Sequence, residues 1–210
     1  VKAGDQTRGH RNWSPGPHRV RGVDDYLAVL ENNYVLADPA ARRARIYEET
    51  QRVAGECGGR LVVNEFLLDE VTNLVEYPTV FAGRFAERFL ELPRDVIVVA
   101  MKSHQRYFAV EDDKGGLLPN FLCVANVPSE SHDAVRQGNE RVLVSRLDDA
   151  AFYWHEDTRA KLEDKVDSLR NVVWLEGLGS LYEKTERLER LARTIGDRIS
   201  SSETETAVRA

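Results

Sequence analysis

The run RYFAV at residues 106–110, then DDKGG at 112–116, then NFLCVANV at 120–127 reads as strand, turn and strand. Apolar and aromatic side chains alternate in both flanking runs as a pleated segment requires, with successive residues pointing to opposite faces. Asp, Lys and two glycines between them tolerate positive φ, so a β-hairpin is the natural connection. Upstream, residues 79–85 read as another strand and 61–63 as a short β-branched one. Asp38-Pro39 is a cap followed by proline at the first helical position, starting a helix to about Ala54 with Ile46 and Val53 on its apolar face. Residues 65–75 have helical spacing that Pro78 limits. Pro93 opens a helix over 94–103, although Ile97-Val98-Val99 favours a strand by propensity. Asp24 is placed to cap a short helix ending at Leu30. Residues 7–22, punctuated by Pro15, Gly16 and Pro17, suit two short strands about a turn.

Beyond Ser131 the chain turns helical. Val142, Leu143, Leu147, Ala150, Ala151 and Trp154 mark one apolar face, continued by Leu162, Val166 and Leu169. Gly177 and Gly179 interrupt it, and residues 181–199 form a new amphipathic helix before a polar end. Strands first and helices afterwards imply an α+β fold: a mixed α/β N-terminal part with short strands and a hairpin, followed by a long-helix C-terminal part. The expected organisation is a mixed α/β domain over 1–130, a long helical segment packing on it over 131–177, and a further helical piece over 178–210.

At 210 residues, 42% hydrophobic and 30% charged, the composition is that of a globular protein with room for a sizeable core. No apolar run approaches the ~20 residues of a membrane span. The N-terminus is polar and lacks the apolar stretch of a signal peptide. Its first residues read as the interior of a longer chain, so both ends are expected to be internal boundaries. Cys57 and Cys123 stand alone, outside any CxxC pair, and are expected to be idle thiols in a reducing compartment. The net charge of −6 argues against nucleic-acid binding over the whole surface. Residues 1–21, however, hold five cations (Lys2, Arg8, Arg11, Arg19, Arg21) against Asp5 alone, a balance of +4 that leaves −10 on the remainder. A local basic segment on an acidic body is compatible with a confined RNA contact and equally with a solvated tail.

Signatures of catalysis are missing: the chain has no GxxxxGK[ST] phosphate loop, no GxGxxG, no HExxH and no GxSxG. No catalytic residues and no metal ligands are therefore assigned. His132-Asp133 has the look of a metal pair, but too few further ligands accompany it, and the surrounding Ser-Glu-Ser-His-Asp run suits a helix cap. Asp148-Asp149 and Glu156-Asp157 sit near Arg146, Arg159 and Lys161, where ion pairs three or four residues apart account for them. The richest segment is MKSHQRYF at 101–108. Lys102, His104 and Arg106 place a cation, an imidazole and a guanidinium beside two aromatics, groups able to meet RNA phosphates and stack on splayed bases. The competing reading gives Tyr107 and Phe108 to the core and the polar groups to a helix C-terminus.

Several blocks occur in a recognisable order: LDEV at 68–71, LVEYP at 74–78, FLELP at 89–93 and MKSHQRYF at 101–108. Gly9-His10-Arg11, GNERVL at 138–143, RLDDA at 146–150 and LGSLYEK at 178–184 complete the set. Together, over residues 8–190, they resemble the beta subunit of bacterial two-subunit glycyl-tRNA synthetases. The resemblance implies a cytoplasmic role in ATP-dependent attachment of glycine to tRNA(Gly), in partnership with the alpha subunit and with other beta-subunit domains. ATP and magnesium would be used by the alpha subunit, leaving this piece without a cofactor and noncatalytic by itself. Residues from about 179 resemble the start of a helical HD-like domain. The candidate RNA contacts are Lys102, His104 and Arg106 together with Arg8, His10 and Arg11. An alternative is a protein-interaction scaffold that touches the alpha subunit without touching RNA. A metal-dependent phosphohydrolase is a third reading.

Overall fold

A computed structural model describes residues 4–126, 132–199 and 202–209 of the chain. Val127 and the cap run at 129–131 fall outside the described residues. Contacts divide the molecule into two compact units, Val1–Phe152 and Tyr153–Ala210. The α+β class expected from the sequence is the class observed.

The first unit is built around the predicted hairpin. Strands β5 (Phe108–Glu111) and β6 (Leu117–Ala125) pair antiparallel, and the Asp112 carboxylate closes their turn by accepting from the backbone N–H of Lys114 and Gly116, each at 2.8 Å. A two-residue edge strand, β3 (Arg60–Leu61), joins β5, and β4 (Thr79–Arg84) joins β6, giving an antiparallel sheet in the order β3-β5-β6-β4. Both faces of this sheet are covered. Phe108, Val110, Leu122, Leu61 and Val80 point to one core, formed with α2 (Pro39–Glu56) and α3 (Glu65–Leu74). Their strand neighbours Tyr107, Ala109 and Phe121 point to another. That second core is formed with a 3-10 turn (Glu87–Glu91), α4 (Arg94–Gln105) and Leu143 and Leu147 of α5 (His132–Thr158). The alternation read in the hairpin is therefore between two apolar environments, and three layers result.

Local chemistry accounts for most boundaries. Asp38 accepts from the N–H of Ala40 at 2.9 Å, with Pro39 at the first helical position of α2. Asn64 caps α3 through Leu67 N–H at 2.9 Å. The run Ile97-Val98-Val99 is helical despite its β propensity, because helical spacing puts Ile97 and Met101 into the second core and leaves Val99 outside. Helix α1 (Val23–Asn32) begins one residue before the expected cap: Asp24 lies in its first turn, and the helix is entered from Gly22 without a side-chain cap. On α5, Leu143 and Leu147 are the wholly enclosed pair, whereas Val142, expected on the apolar face, stays exposed. A small ribbon of β1 (Gln6–Arg8) and β2 (Pro17–Arg19) confirms the pair of strands read around Pro15-Gly16-Pro17.

In the second unit the pattern at Leu162, Val166 and Leu169 belongs to a 3-10 segment, Leu162–Asn171, followed by a strand, β7 (Val173–Leu175), paired with β8 (Gly179–Ser180). Helix α6 (Leu181–Ile199) starts with a capping box: Ser180 Oγ accepts from Glu183 N–H at 3.2 Å while the Glu183 carboxylate accepts from Ser180 N–H at 2.7 Å. Lys184 stacks on Trp174 and Arg170 on Tyr182, holding strand, 3-10 segment and helix together. A short α7 (Thr204–Arg209) follows.

Gly83 faces Phe121 directly across the β4–β6 pair, and a Cβ there would fall inside the Phe121 ring. Gly83→Ala is expected to destabilise the first unit by about 1–3 kcal/mol through overpacking, read as a lowered urea midpoint. Burial also pushes the Cys123 thiol from its ordinary value near 9 up to about 12, and raises the Tyr107 phenol well above its usual range. Both groups are held neutral, so their contribution is complete below the unfolded-chain values and is lost as pH rises through the folded ones. Stability is therefore expected to fall above about pH 9. Cys123→Ala should make that fall shallower, as measured by denaturant midpoints from neutral to alkaline pH.

Candidate nucleic-acid interface

The two predicted groups of RNA-facing residues attach to the fold in different ways. Gly9, His10 and Arg11 follow β1. A Cβ on Gly9 would stand 2.6 Å from Asn33 Cβ and 2.7 Å from the Ser14 carbonyl oxygen, so glycine is what allows this arm to lie against the end of α1. The His10 N–H donates to Asn33 O at 2.8 Å, and Ser14 Oγ donates to Asn33 Oδ1 at 2.8 Å. His10 itself is 0% exposed. Its Nδ1 accepts from the backbone N–H of Asn12 and Trp13, both at 3.3 Å, which puts the ring proton on Nε2. That proton points toward Glu76 Oε2 at 3.7 Å, beyond a hydrogen bond. The enclosed ring shapes the loop that carries Trp13 and does not reach the surface. Arg8 and Arg11, by contrast, are exposed and have no ion-pair partner among the described residues.

Lys102, His104 and Arg106 lie at the C-terminal end of α4. Arg106 adopts the left-handed conformation (φ 57°) that ends the helix, and Tyr107 N–H returns to Met101 O at 3.1 Å. This left-handed (αL) cap, in which Arg106 N–H also returns to Lys102 O at 3.2 Å and arginine stands where glycine is usual, swings the chain from helix into β5. The competing core reading holds for the aromatics: Tyr107 and Phe108 are buried, in opposite cores. The Arg106 guanidinium donates to Glu70 of α3 at 2.7 Å. His104 is exposed, and the Lys102 ammonium lies 5.9 Å from the ring of Phe66, a side chain 72% in solvent. The surface thus offers a cation, an imidazole and an aromatic face, with Arg106 engaged by a carboxylate.

The remaining polar pairs have local explanations. His132 meets Thr79 Oγ1 at 3.0 Å and packs on Phe81, while Asp133 pairs with Arg136. Among the described residues no three His, Cys, Asp or Glu side chains are grouped to hold a metal. Glu156 pairs with Arg159 three residues on, as expected, whereas Asp148 is engaged by Arg88 from the 3-10 turn at 2.8 Å, a tertiary pair that helix spacing does not reveal.

The quoted blocks therefore mark places where elements are fastened. Glu140 accepts from Arg84 N–H at the end of β4 at 2.9 Å, and Asn139 donates to Cys123 Sγ on β6 at 3.4 Å. All 210 residues match the family model described as "Glycyl-tRNA synthetase beta subunit". The chain belongs to the glycyl-tRNA synthetase beta subunit family. It is similar to the glycine–tRNA ligase beta subunits of Geobacter sulfurreducens (46% identity over 95% of this chain and 29% of that protein) and Syntrophomonas wolfei (45% over 98% and 30%). That of Ligilactobacillus salivarius is 43% identical over 98% of this chain and 29% of its own length. The chain thus spans about three tenths of the length of the curated relatives it matches.

Sequence reading missed one feature of this family member. Trp13, Tyr34 and Tyr77 meet edge to face, with ring centroids 4.9–5.9 Å apart, and the Arg45 guanidinium lies 4.1 Å over Tyr77. These residues come from four separate segments, so no local spacing announces them.

Gly9→Ala is expected to displace the arm, costing about 1–3 kcal/mol through the forced contact with Asn33 and Ser14. A lowered thermal midpoint with a changed Trp13 emission would report it; unchanged values would show that the arm yields freely.

Proposed function

We propose that this chain forms part of the beta subunit of a heterotetrameric glycine–tRNA ligase, where it contributes to tRNA binding and subunit architecture during ATP-dependent glycylation of tRNA(Gly). The match of the whole chain to the family is the observation that carries this reading. In it the piece is noncatalytic by itself, ATP and magnesium being used by the alpha subunit, and the enzyme works in the cytoplasm. Among the described residues no helix is long and apolar enough to cross a membrane.

The tRNA contacts in this reading are Arg8 and Arg11 on the arm and Lys102, His104 and Arg106 at the end of α4. Arg8, Arg11, Lys102 and His104 have no carboxylate partner among the described residues, which leaves their donors for phosphates. The exposed Phe66 beside Lys102 adds a face on which a base can stack. Arg106 enters by exchanging Glu70 for phosphate, an exposed pair of the kind worth only ~0–1 kcal/mol. His10 contributes by fixing the arm.

A second reading, a scaffold that contacts the alpha subunit or neighbouring beta domains without RNA, is favoured by α6. Leu188, Leu191, Ile195 and Ile199 recur at helical spacing and each is more than half exposed. A face of that kind marks an interaction surface.

Replacing Arg8, Arg11 and Lys102 with Gln in the complete two-subunit enzyme is expected to weaken tRNA binding and flatten its salt dependence, by roughly 0.7–0.9 in the log–log slope per lost phosphate contact. Affinity and slope both unchanged, in a variant that remains folded, would remove these residues from the interface. Retention on immobilised alpha subunit together with no shift of tRNA by this chain would favour the scaffold.

A further inference from the structure

The cleft between the N-terminal arm, α2 and the turn into β4 has a volume of about 700 Å³, in the range of small-molecule and cofactor sites. Its walls include Trp13, Tyr34, Tyr77, Arg45, Glu49 and Arg52, all in the first unit. Two properties of this cleft bear on what it takes.

The first is the state of its cations. Helix α2 carries four arginines, and three are occupied. Arg42 donates to the carbonyls of Thr72 and Leu36, at 2.7 and 2.6 Å. Arg43 is held by Asp69 and Glu65, and Arg52 by Glu49 and Glu56. Arg45 alone has no carboxylate or carbonyl partner among the described residues; its guanidinium rests on the Tyr77 ring, at 4.1 Å. Stacking uses the face of the guanidinium and leaves its in-plane N–H fork unspent, the geometry that receives phosphate or carboxylate. Among the residues that line the cleft, Glu49 is engaged by Arg52, so Arg45 is the arginine whose fork is left unengaged.

The second is the aromatic wall. Trp13, Tyr34 and Tyr77 contact one another edge to face. Tyr34 keeps 43% of its surface in solvent and holds a left-handed backbone (φ 60°). A tyrosine pays for that conformation, and here it is retained with its ring at the cleft. Flat aromatic surface within reach of an unspent guanidinium suits one chemistry in particular: an aromatic base joined to a phosphate.

We propose that the cleft bounded by Trp13, Tyr34, Tyr77 and Arg45 binds a single unstacked nucleotide, its base against the tyrosine and tryptophan rings and its phosphate on the Arg45 fork. A splayed nucleotide of RNA is the source the family membership favours, so the proposal rests on the RNA-binding reading above while naming a different site from the arm and the end of α4. Base–aromatic stacking and one guanidinium contact make it a site of modest affinity that positions a strand already held elsewhere.

The test uses the 210-residue chain with a fluorescently labelled, single-stranded hexaribonucleotide, followed by anisotropy, and AMP in a parallel titration. Arg45→Gln is expected to weaken hexanucleotide binding about tenfold and to flatten its salt slope by roughly one phosphate contact. Arg45→Lys, which keeps the charge and loses the fork, should recover only part of that loss. Tyr34→Asn removes the ring and tolerates the left-handed backbone, so it should weaken binding severalfold in a chain that stays folded, as checked by an unchanged circular dichroism spectrum at the assay temperature. Binding of AMP with the same sensitivity to both positions would support the site with a free nucleotide as its source. No binding of either probe, or binding that neither Arg45→Gln nor Tyr34→Asn changes, would overturn it. Loss of hexanucleotide binding on replacing Arg8, Arg11 and Lys102, with no effect of Arg45→Gln, would sink the cleft and leave the broader RNA reading standing.

Discussion

Burial of the β5–β6 hairpin on both faces is the constraint on which the first unit depends. Phe108, Val110 and Leu122 need one apolar environment, and Tyr107, Ala109 and Phe121 need another. A strand whose neighbouring side chains are all apolar is stable only between two covering layers, since each large side chain left in water forfeits about 1.5–3 kcal/mol. Helices α2 and α3 supply one layer. The 3-10 turn, α4 and the first half of α5 supply the other.

The polar residues of the family blocks serve that arrangement. Arg106 in its left-handed turn brings the chain out of α4 so that Tyr107 and Phe108 enter opposite cores, and Glu70 holds its guanidinium against α3. Asn139, Glu140 and Asp148 fasten α5 to β6, to the end of β4 and to the 3-10 turn. Gly9 and His10 bring the N-terminal arm against the end of α1. Each is a contact between segments distant in sequence, and losing one leaves an exposed edge or an orphaned buried group. In this chain the blocks hold the fold of the first unit together.

Outside these fastenings the first unit presents its exposed side chains and the aromatic cleft. An acidic protein that meets RNA does so through cations its own carboxylates have not claimed. The pairing pattern is therefore more telling than the net charge: most arginines of the first unit are spent internally, whereas the guanidinium groups of Arg8, Arg11, Arg21, Arg45, Arg84, Arg141 and Arg146 have no carboxylate or carbonyl partner among the described residues. In the second unit apolar side chains stay largely exposed, with Gly196 the only buried residue among those described, so its stripe on α6 remains open to a partner.

Local chemistry made much of this legible beforehand. The Asp112 turn, the Asp38-Pro39 start of α2 and the glycine-marked entry to α6 are short-range devices, and each appears where the residues indicated. Family membership was legible too, because ordered blocks survive in a single sequence. Tertiary structure alone decided the rest. Period-two alternation shows that residues 107–110 face two ways, yet not that both ways are apolar interiors. Charge and residue type made His10 a candidate ligand, while enclosure by the Gly9 approach and the Trp13 loop made it a structural ring. The union of Trp13, Tyr34, Arg45 and Tyr77 depends on where α1, α2 and the entry to β4 come to rest, and spacing along a chain carries no record of contacts made across it.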